Sequence, residues 1–506
     1  MFHIYPVTQT ETVCEHYRVR VNGVETTLQT ARVSAYPFNR RWPGHQRGIE
    51  QTELINFLWM EADEPLFFEI KPRNPFETVE VRPKPLGIKA EKSEDGWVRF
   101  AVKSPAYFTV EPYGRRDALH VFIDPVSQYT IDKKGEKVLY FGKGENDVGV
   151  IHLESNQTLF LDEGAVVYAC VRAKDAKNIK IIGRGILDNS RNKEKILFES
   201  NEENNAVAIS NAVREHTVQL EYCTDIEIEG ITIRDSLVYN VRPIGCENLN
   251  ISNIKIIGNW RYNSDGIDMH NCVNVCIENC FIRTFDDCIC VKGLDCFYDG
   301  DVEAAVRAAM YRSGKSYDTF KRVRVRNCVL WNDWGKCLEI GAETRAEEIC
   351  DVIFEDCYVI HLMGRAMDCM NVDYANVHDI TWRNISVELD TPMYSPQIQR
   401  RDEQTYDFTQ NAHIPILLGA DVVYHDEYSA KGIRRGKNSG LSFEDIRVFD
   451  AQKLKFSFSG YDEAHMTSDV TVKNVFINGQ PMTEKDYELK QNDFCHNVRI
   501  TCGKQK

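Results

Sequence analysis

The sequence predicts an all-β chain, with a parallel β-helix over residues 123–506 preceded by a small β-sandwich over residues 1–122. Three observations lead there. A motif recurs with a period in the twenties from about Asn178 onward, each copy alternates apolar and polar residues, and the first 120 or so residues keep the alternation without the motif. Period-2 alternation marks strands. A fixed period of this length marks a solenoid of stacked coils.

The repeat opens on Asn or Asp, alternates to a second Asn or Asp, and then alternates again. Copies read NIKIIGRGILD from Asn178, DIEIEGITIRD from Asp225, NLNISNIKIIG from Asn248, NVCIENCFIRT from Asn274 and RVRVRNCVLWN from Arg322. DVIFEDCYVIH from Asp351, DITWRNISVEL from Asp379, GLSFEDIRVFD from Gly440 and DVTVKNVFING from Asp469 complete the series. β-Branched residues dominate and the pattern of leucine-rich repeats is missing, which favours a β-helix. Asn253, Asn279, Asn327, Asp356 and Asn384 fall in one column, as an amide ladder at a tight corner would. The next column is Ile254, Cys280, Cys328, Cys357 and Ile385. Cysteine exchanging with isoleucine predicts buried small hydrophobes rather than metal or redox groups.

Two insertions interrupt the repeat. FYDGDVEAAVRAAMYRSGKSYDTF, between the Asn274 and Arg322 copies, is expected to be partly helical, and a second runs from about Thr391 to Lys437. In the N-terminal region PLFFEIKP, ETVEVRP, GWVRFAV and AYFTVEP read as short strands, with a hairpin at Asp95-Gly96. The sandwich is expected to sit on the N-terminal end of the solenoid, capping it and helping to shape a cleft.

A formal charge of −15 argues against nucleic acid or an anionic membrane as partner, since both need a basic stripe. Seventeen cysteines, an odd number, do not read as a disulfide framework, and no zinc-type pair of C-x-x-C motifs exists. Neither a bilayer-length apolar run nor a basic leader with an apolar stretch is visible, so a cytoplasmic location is expected.

The stretch YNSDGIDMHNCVNVCIENCFIRTFDDCICVKG places one acid at Asp265 and a pair, Asp286 and Asp287, twenty-one residues later. One coil takes slightly more than twenty residues, so the three acids return to one angular position on adjacent coils, about 4.8 Å apart. Crowded carboxylates suit glycosidic bond cleavage. One must be protonated to donate to the leaving oxygen and another ionised to activate water or attack the sugar, and mutual repulsion spreads their pKa values. A surface acidic cluster or a calcium site fits the spacing equally.

At these residues the chain resembles glycoside hydrolase family 28, the polygalacturonase family. Asn263-Ser264-Asp265-Gly266-Ile267-Asp268 matches its N-T-D-G-I/F-D motif and Asp286-Asp287-Cys288 its D-D-C motif, with Lys292 in the place of the lysine that follows in bacterial members. The resemblance covers roughly residues 125–480, and the sandwich is more similar to that of the related dextranase family. It implies a right-handed solenoid, inversion at the anomeric carbon, and neither cofactor nor metal. By the same resemblance Asp286 is the general acid, while Asp265 and Asp287 hold and activate the water. Asn263 and Asp268 would shape the loop.

Two departures stand out. The family's G-H-G falls at DWGKCLEIGAET, without the histidine and with Gly335 or Lys336 nearest in register. Its R-I-K, which binds the uronate carboxylate, falls near MGRAMDCM, where Arg365 remains. The candidate substrate-binding set is therefore Asn263, Asp268, His270, Lys292, Trp334, Lys336 and Arg365. Trp260, Tyr262, Tyr239 and Tyr298 are further candidates for stacking on sugar rings, and His270 also suits a hydrogen-bonded structural place. The expected activity is inverting, exo-acting hydrolysis of an imported oligosaccharide, with the insertions after Cys296 and Thr391 closing one end of the groove. Specificity should shift to a neutral sugar or to a uronide held by a rearranged Arg or Lys. A calcium-dependent polysaccharide lyase and a non-catalytic carbohydrate-binding β-helix are the alternatives. No oligomeric state follows from the sequence.

Overall fold

The computed structural model describes residues 1–35, 49, 52–195, 199–200, 207–208, 216–261, 263–294, 311–312, 314–389, 414–425, 429, 432 and 434–502. Tyr262, Cys296, Tyr298, most of the insertion expected to be helical, and residues 390–413 of the second insertion lie outside them.

From Val138 onward the chain winds as a right-handed parallel β-helix with three columns of strands. Each strand pairs with the one a full coil later. Thus Ile267–His270 lies against Ile289–Lys292, which lies against Lys336–Ala342, then Arg365–Asn371 and Ile416–Val422. The alternation read from the sequence decides what points inward. Ile267, Ile289, Leu338, Met367 and Leu418 stack in the core, as do Met269, Val291, Ile340, Cys369 and Ala420 two residues on. Each such burial stabilises by roughly 1.5–3 kcal/mol.

The expected corner column is present. Asn253, Asn279, Asn327, Asp356 and Asn384 all adopt left-handed backbone, with φ between 52° and 56°. Asn and Asp tolerate that conformation best among non-glycine residues. Asn327 Nδ2 donates to Asn279 Oδ1 at 2.7 Å, and Asn384 donates likewise to Asp356. The adjoining Cys280, Cys328 and Cys357 are free and fully buried, as their column predicts.

Two antiparallel-rich sheets form the N-terminal sandwich. One pairs Phe2–Ile4, Gln29–Ser34, Thr52–Ala62, Leu119–Asp124, Ala106–Arg115 and Glu80–Arg82; the other is built on Tyr17–Val21, Leu66–Pro72 and Val98–Val102. Its position differs from the expected end cap. Phe57, Trp59 and Phe122 of the first sheet pack on Val166, Ile186, Ile257, Phe281, Val329 and Ile360, which march along the solenoid's flank. Ion pairs extend the seam: Arg234 to Glu11, Arg115 to Asp333, Arg82 to Glu388 and Lys84 to Asp450. The apolar outer face of the third strand column needed a cover, and the sandwich supplies it along the side.

Candidate active site

Asp265 immediately precedes the strand Ile267–His270, and Asp286-Asp287 precede Ile289–Lys292. The pairing of these strands sets Asp265 beside Asp287, with Gly266 N–H donating to the Asp287 carbonyl at 2.8 Å. One oxygen from each of Asp265, Asp286 and Asp287 lies within 4.8 Å of the others. Buried amides grip the backbone at both places: Asn240 Nδ2 donates to the Asp265 carbonyl at 2.7 Å and Asn332 Nδ2 to the Asp286 carbonyl at 2.8 Å.

The third coil supplies a floor of bare backbone. Gly335 has φ +87°, and a Cβ there would stand 2.5 Å from Asp287 Oδ1 and 2.7 Å from Asp286 Oδ1. Lys336 N–H donates to Asp287 Oδ1 at 2.7 Å, and Asp287 N–H donates to Asp286 Oδ1 at 3.0 Å. Asp265 is sealed at 1% exposure, while Asp286 is 7% exposed and the Asp287 side chain 14%. The doublet therefore faces the solvent side and the lone acid lies beneath it.

Lys292 Nζ sits among the acids, 2.8 Å from Asp268, 3.4 Å from Asp265 and 3.8 Å from both Asp287 and Glu343. Burial opposes its charge, but these carboxylates outweigh burial and hold the ammonium protonated. Lys292 cannot neutralise them all. Burial, then Asp268 and Asp286, pushes Asp265 well above the ordinary carboxylate range, and burial followed by Asp287 does the same to Asp286. Asp265 Oδ1 has no hydrogen-bond partner among the described residues.

The column continues outward from Asp268 as Cys290, Glu339, Asp368, Gly419 and Ser457, one residue per coil. Its acids capture the two cations expected to meet substrate. Lys336 Nζ pairs with Glu339 and lies 3.3 Å from Asp368. Arg365 reaches Asp368 at 2.8 Å and Asp421 at 2.6 Å. Counting Asp265, Asp268, Asp286, Asp287, Glu339, Glu343, Asp368 and Asp421 against Lys292, Lys336 and Arg365, the formal balance is strongly negative. Glu339, fully buried, is pushed well above its usual range by burial and then by Asp287.

The other sequence-derived candidates fall in different places. His270 is buried, with Nδ1 3.0 Å from the Gly293 carbonyl and Arg242 beside Nε2, which is the structural place weighed for it. Tyr239 is buried with its ring 5.2 Å from Lys292 Nζ, so it forms part of the site's support. Asn263 makes a left-handed turn, φ 56°, leading into Asp265. Trp260 donates to Asp235 at 3.1 Å and stacks under Arg261. Trp334 is half-buried between Asn332 and Gly335, its ring 6.0 Å from Phe285, beside the doublet's floor. A cavity of about 260 Å³ lies instead in the sandwich seam, lined by Tyr107, Asn253, Asn279, Asn327 and Tyr358 among others; no residue of the carboxylate cluster lines it.

The three aspartates, or Asp287 with Cys290 and Glu339, are close enough to hold a cation. A hard ion such as calcium, however, takes six to eight oxygens at 2.3–2.6 Å, and the Lys292 ammonium already occupies the centre of the acids. The donor set fits a lysine-bridged cluster better than an ion cage.

Sequence reading missed Asn240, Asn332, Glu339, Asp368 and Asp421. A lone acid in an apolar period-2 strand, as in CLEIGAE and AMDCMN, was the available clue, because those positions share a coil register with Asp268.

The family of sequences described as "Glycosyl hydrolases family 28" matches residues 130–299, a span holding Asp265, Asp286, Asp287 and Lys292 and ending before Trp334. A probable polygalacturonase of Vitis vinifera is 29% identical over 196 residues, covering 34% of this chain and 40% of that protein. A polygalacturonase of Gossypium barbadense is 27% identical over 149 residues, covering 29% of this chain and 34% of that protein. The chain thus spans well under half the length of these relatives. Among solved structures, Dex49A from Penicillium minioluteum superposes with a TM-score of 0.60 at 14% identity, over 96% of both chains. That likeness shows the fold, sandwich included, and agrees with the dextranase-like N-terminal region read from the sequence. The resemblance to family 28 stands.

Proposed function

We propose that the protein is a polygalacturonase-like glycoside hydrolase that cleaves its substrate at the Asp265/Asp286/Asp287 cluster. The single observation that carries this reading is the convergence of three carboxyl groups within 4.8 Å, two of them driven toward their protonated forms. Asp286, partly open to solvent, gives its proton to the leaving glycosidic oxygen. Asp287, the most exposed of the three, accepts from the attacking water, and the buried Asp265 carboxyl, with an oxygen within 4.8 Å of it, helps to hold that water from beneath. Lys292 keeps a negative charge available among them.

Inversion is carried by the family resemblance. A second reading, retention through a glycosyl-aspartate, has the tight spacing in its favour, since inverting pairs commonly stand 6.5–9.5 Å apart. Proton NMR of the first-formed anomer decides between them.

The sugar is proposed to be neutral. A uronate carboxylate needs a charged fork, yet Lys336 and Arg365 are engaged by Glu339, Asp368 and Asp421. Exo-action on an imported oligosaccharide and a cytoplasmic location complete the proposal; the sixteen described cysteines, all free, suit a reducing compartment. No described helix is long and apolar enough to cross a membrane. The test is reducing-sugar release from neutral and uronic oligosaccharides by the wild type and by Asp286→Asn. Release from neutral substrates, abolished in the variant, is expected; turnover that survives the substitution sinks the mechanism, and a preference for uronides sinks the specificity.

A further inference from the structure

On the outer face of the second strand column, a different column from the strands that follow the proposed catalytic acids, four donor side chains share one patch. Glu348 and Cys350 are alternate residues of the strand Glu348–Glu355, and Asn376 and His378 are alternate residues of Asn376–Arg383, so each pair lies on one face. The parallel register sets Glu348 opposite Asn376 and Cys350 opposite His378. A carboxylate oxygen of Glu348, the Sγ of Cys350 and a ring nitrogen of His378 lie within 4.8 Å of one another. His378 Nε2 is 2.9 Å from Glu348 Oε1, while Nδ1 is 2.8 Å from Asp379 Oδ2. Asp379 on Nδ1 and Glu348 on Nε2 together fix the orientation of the ring, and an ion bound at Nε2 would take the place of the proton directed there at Glu348, with Asp379 left as the partner that orients a metal-ligating histidine. Asn376 adds a buried Oδ1 with no hydrogen-bond partner among the described residues.

Cys350 differs from the column cysteines. Those point into the solenoid core, whereas Cys350 stands on the outward phase of its strand and keeps 8% exposure. A thiolate, an imidazole and a carboxylate are ligands suited to one borderline-soft divalent ion. Metal–ligand bonds of about 2.0–2.3 Å place tetrahedral ligands roughly 3.3–3.8 Å apart, so rotations of about 1 Å at the side-chain tips complete the geometry. Lys321 and Lys437 face Cys350 and Asn376 from the flanking strands. Long flexible stems allow both ammonium groups to turn to solvent.

We propose that Glu348, Cys350 and His378 form a zinc-type site, with a fourth position open to water, that clips two successive coils together. On loading, the Cys350 thiol proton and the His378 Nε2 proton directed at Glu348 both leave to solvent, the sulfur binding as thiolate and the ring through the freed Nε2 lone pair. The site is independent of the hydrolytic reading.

Titrating the chelator-treated full chain with Co²⁺ tests the proposal directly. The expected result is uptake of one equivalent with a thiolate-to-cobalt charge-transfer band, reversed by Zn²⁺. Cys350→Ser should abolish the band, His378→Gln should weaken uptake at least tenfold, and Cys276→Ser, at a partly exposed cysteine elsewhere, should change neither. The circular dichroism of each variant without metal establishes that it is folded; should Cys350→Ser fail to fold, His378→Gln carries the decision. The proposal is overturned by uptake without a thiolate band, by a band that persists in Cys350→Ser or vanishes in Cys276→Ser, or by full-affinity uptake in His378→Gln.

Discussion

Two buried ionic clusters in this protein make opposite use of charge. In the sandwich seam, Lys255 is fully buried yet fully matched: its ammonium meets Asp124 at 2.7 and 3.0 Å and the carbonyls of Gly230 and Asn253 at 2.8 Å each. Asp124 in turn receives Trp59 Nε1 at 2.7 Å and the Tyr107 hydroxyl. At the carboxylate cluster, one lysine serves four acids. Among the described residues Asp265 Oδ1 has no hydrogen-bond partner, and Asp268 touches Lys292 at 2.8 Å without hydrogen-bond alignment. A balanced cluster of buried charge fastens one element to another. An unbalanced one holds carboxyl groups protonated at a pH where free carboxyls are ionised, which is what acid catalysis requires.

The largest effect expected from breaking this contrast is on turnover. Asp286→Asn should lower kcat by about 10²–10⁴ while raising the melting temperature at neutral pH. The sign follows from linkage. Asp286 has a folded-state pKa raised above its unfolded value, so the folded chain binds the proton more tightly. Relative stability is therefore lost as pH rises from the unfolded value through the folded one, and Asn removes that loss. Below about pH 3.8, where Asp is protonated in both states, the melting advantage of the variant should vanish. In the wild type, activity should fall on the alkaline side as Asp286 gives up its proton. A pH series of kcat and of melting temperature for the pair checks both.

Lys255→Met makes the complementary break. It strands Asp124 in the seam and should destabilise by about 3–5 kcal/mol, read by urea unfolding, with kcat per folded molecule unchanged. Gly335→Ala sharpens the comparison within the carboxylate cluster. Its Cβ would enter the space of Asp286 and Asp287 at a left-handed φ, so kcat should drop about 10- to 100-fold, while unfolding shifts by about 1–2 kcal/mol. Asn327→Ala, in the corner ladder at the edge of the seam cavity and outside the carboxylate cluster, should cost about 1–2 kcal/mol through its φ of 52° and leave kcat untouched.

How much of this was legible in the sequence followed the range of the interactions. The solenoid was readable because the repeat is local: inward isoleucines and corner asparagines answer to neighbours one period away. The gathering of Asp265 with Asp286 and Asp287 was readable for the same reason. The partners of Lys336 and Arg365 were not: Glu339 and Asp368 lie three residues on in the same strands, each looking like one acid in an apolar run, while Lys336 also reaches Asp368 and Arg365 reaches Asp421 one coil later. Only the register, Asp268 to Cys290 to Glu339 to Asp368, joins them. The sandwich's strands were visible, but its place along the flank was not, since Arg82 and Glu388 meet across 306 residues and no period links them.

That lateral placement changes what kind of object the molecule is. A stack of rungs bound only to nearest neighbours can fray from either tip, one rung at a time. Here a rigid splint bridges rungs from Arg184, held to Tyr5, to Asp450, held to Lys84. Loosening any rung between those points strains the splint and so every other rung beneath it. The three aspartates proposed to carry the chemistry, on the spanned stretch, are thereby kept in register by the whole length of the assembly and not merely by the coils above and below.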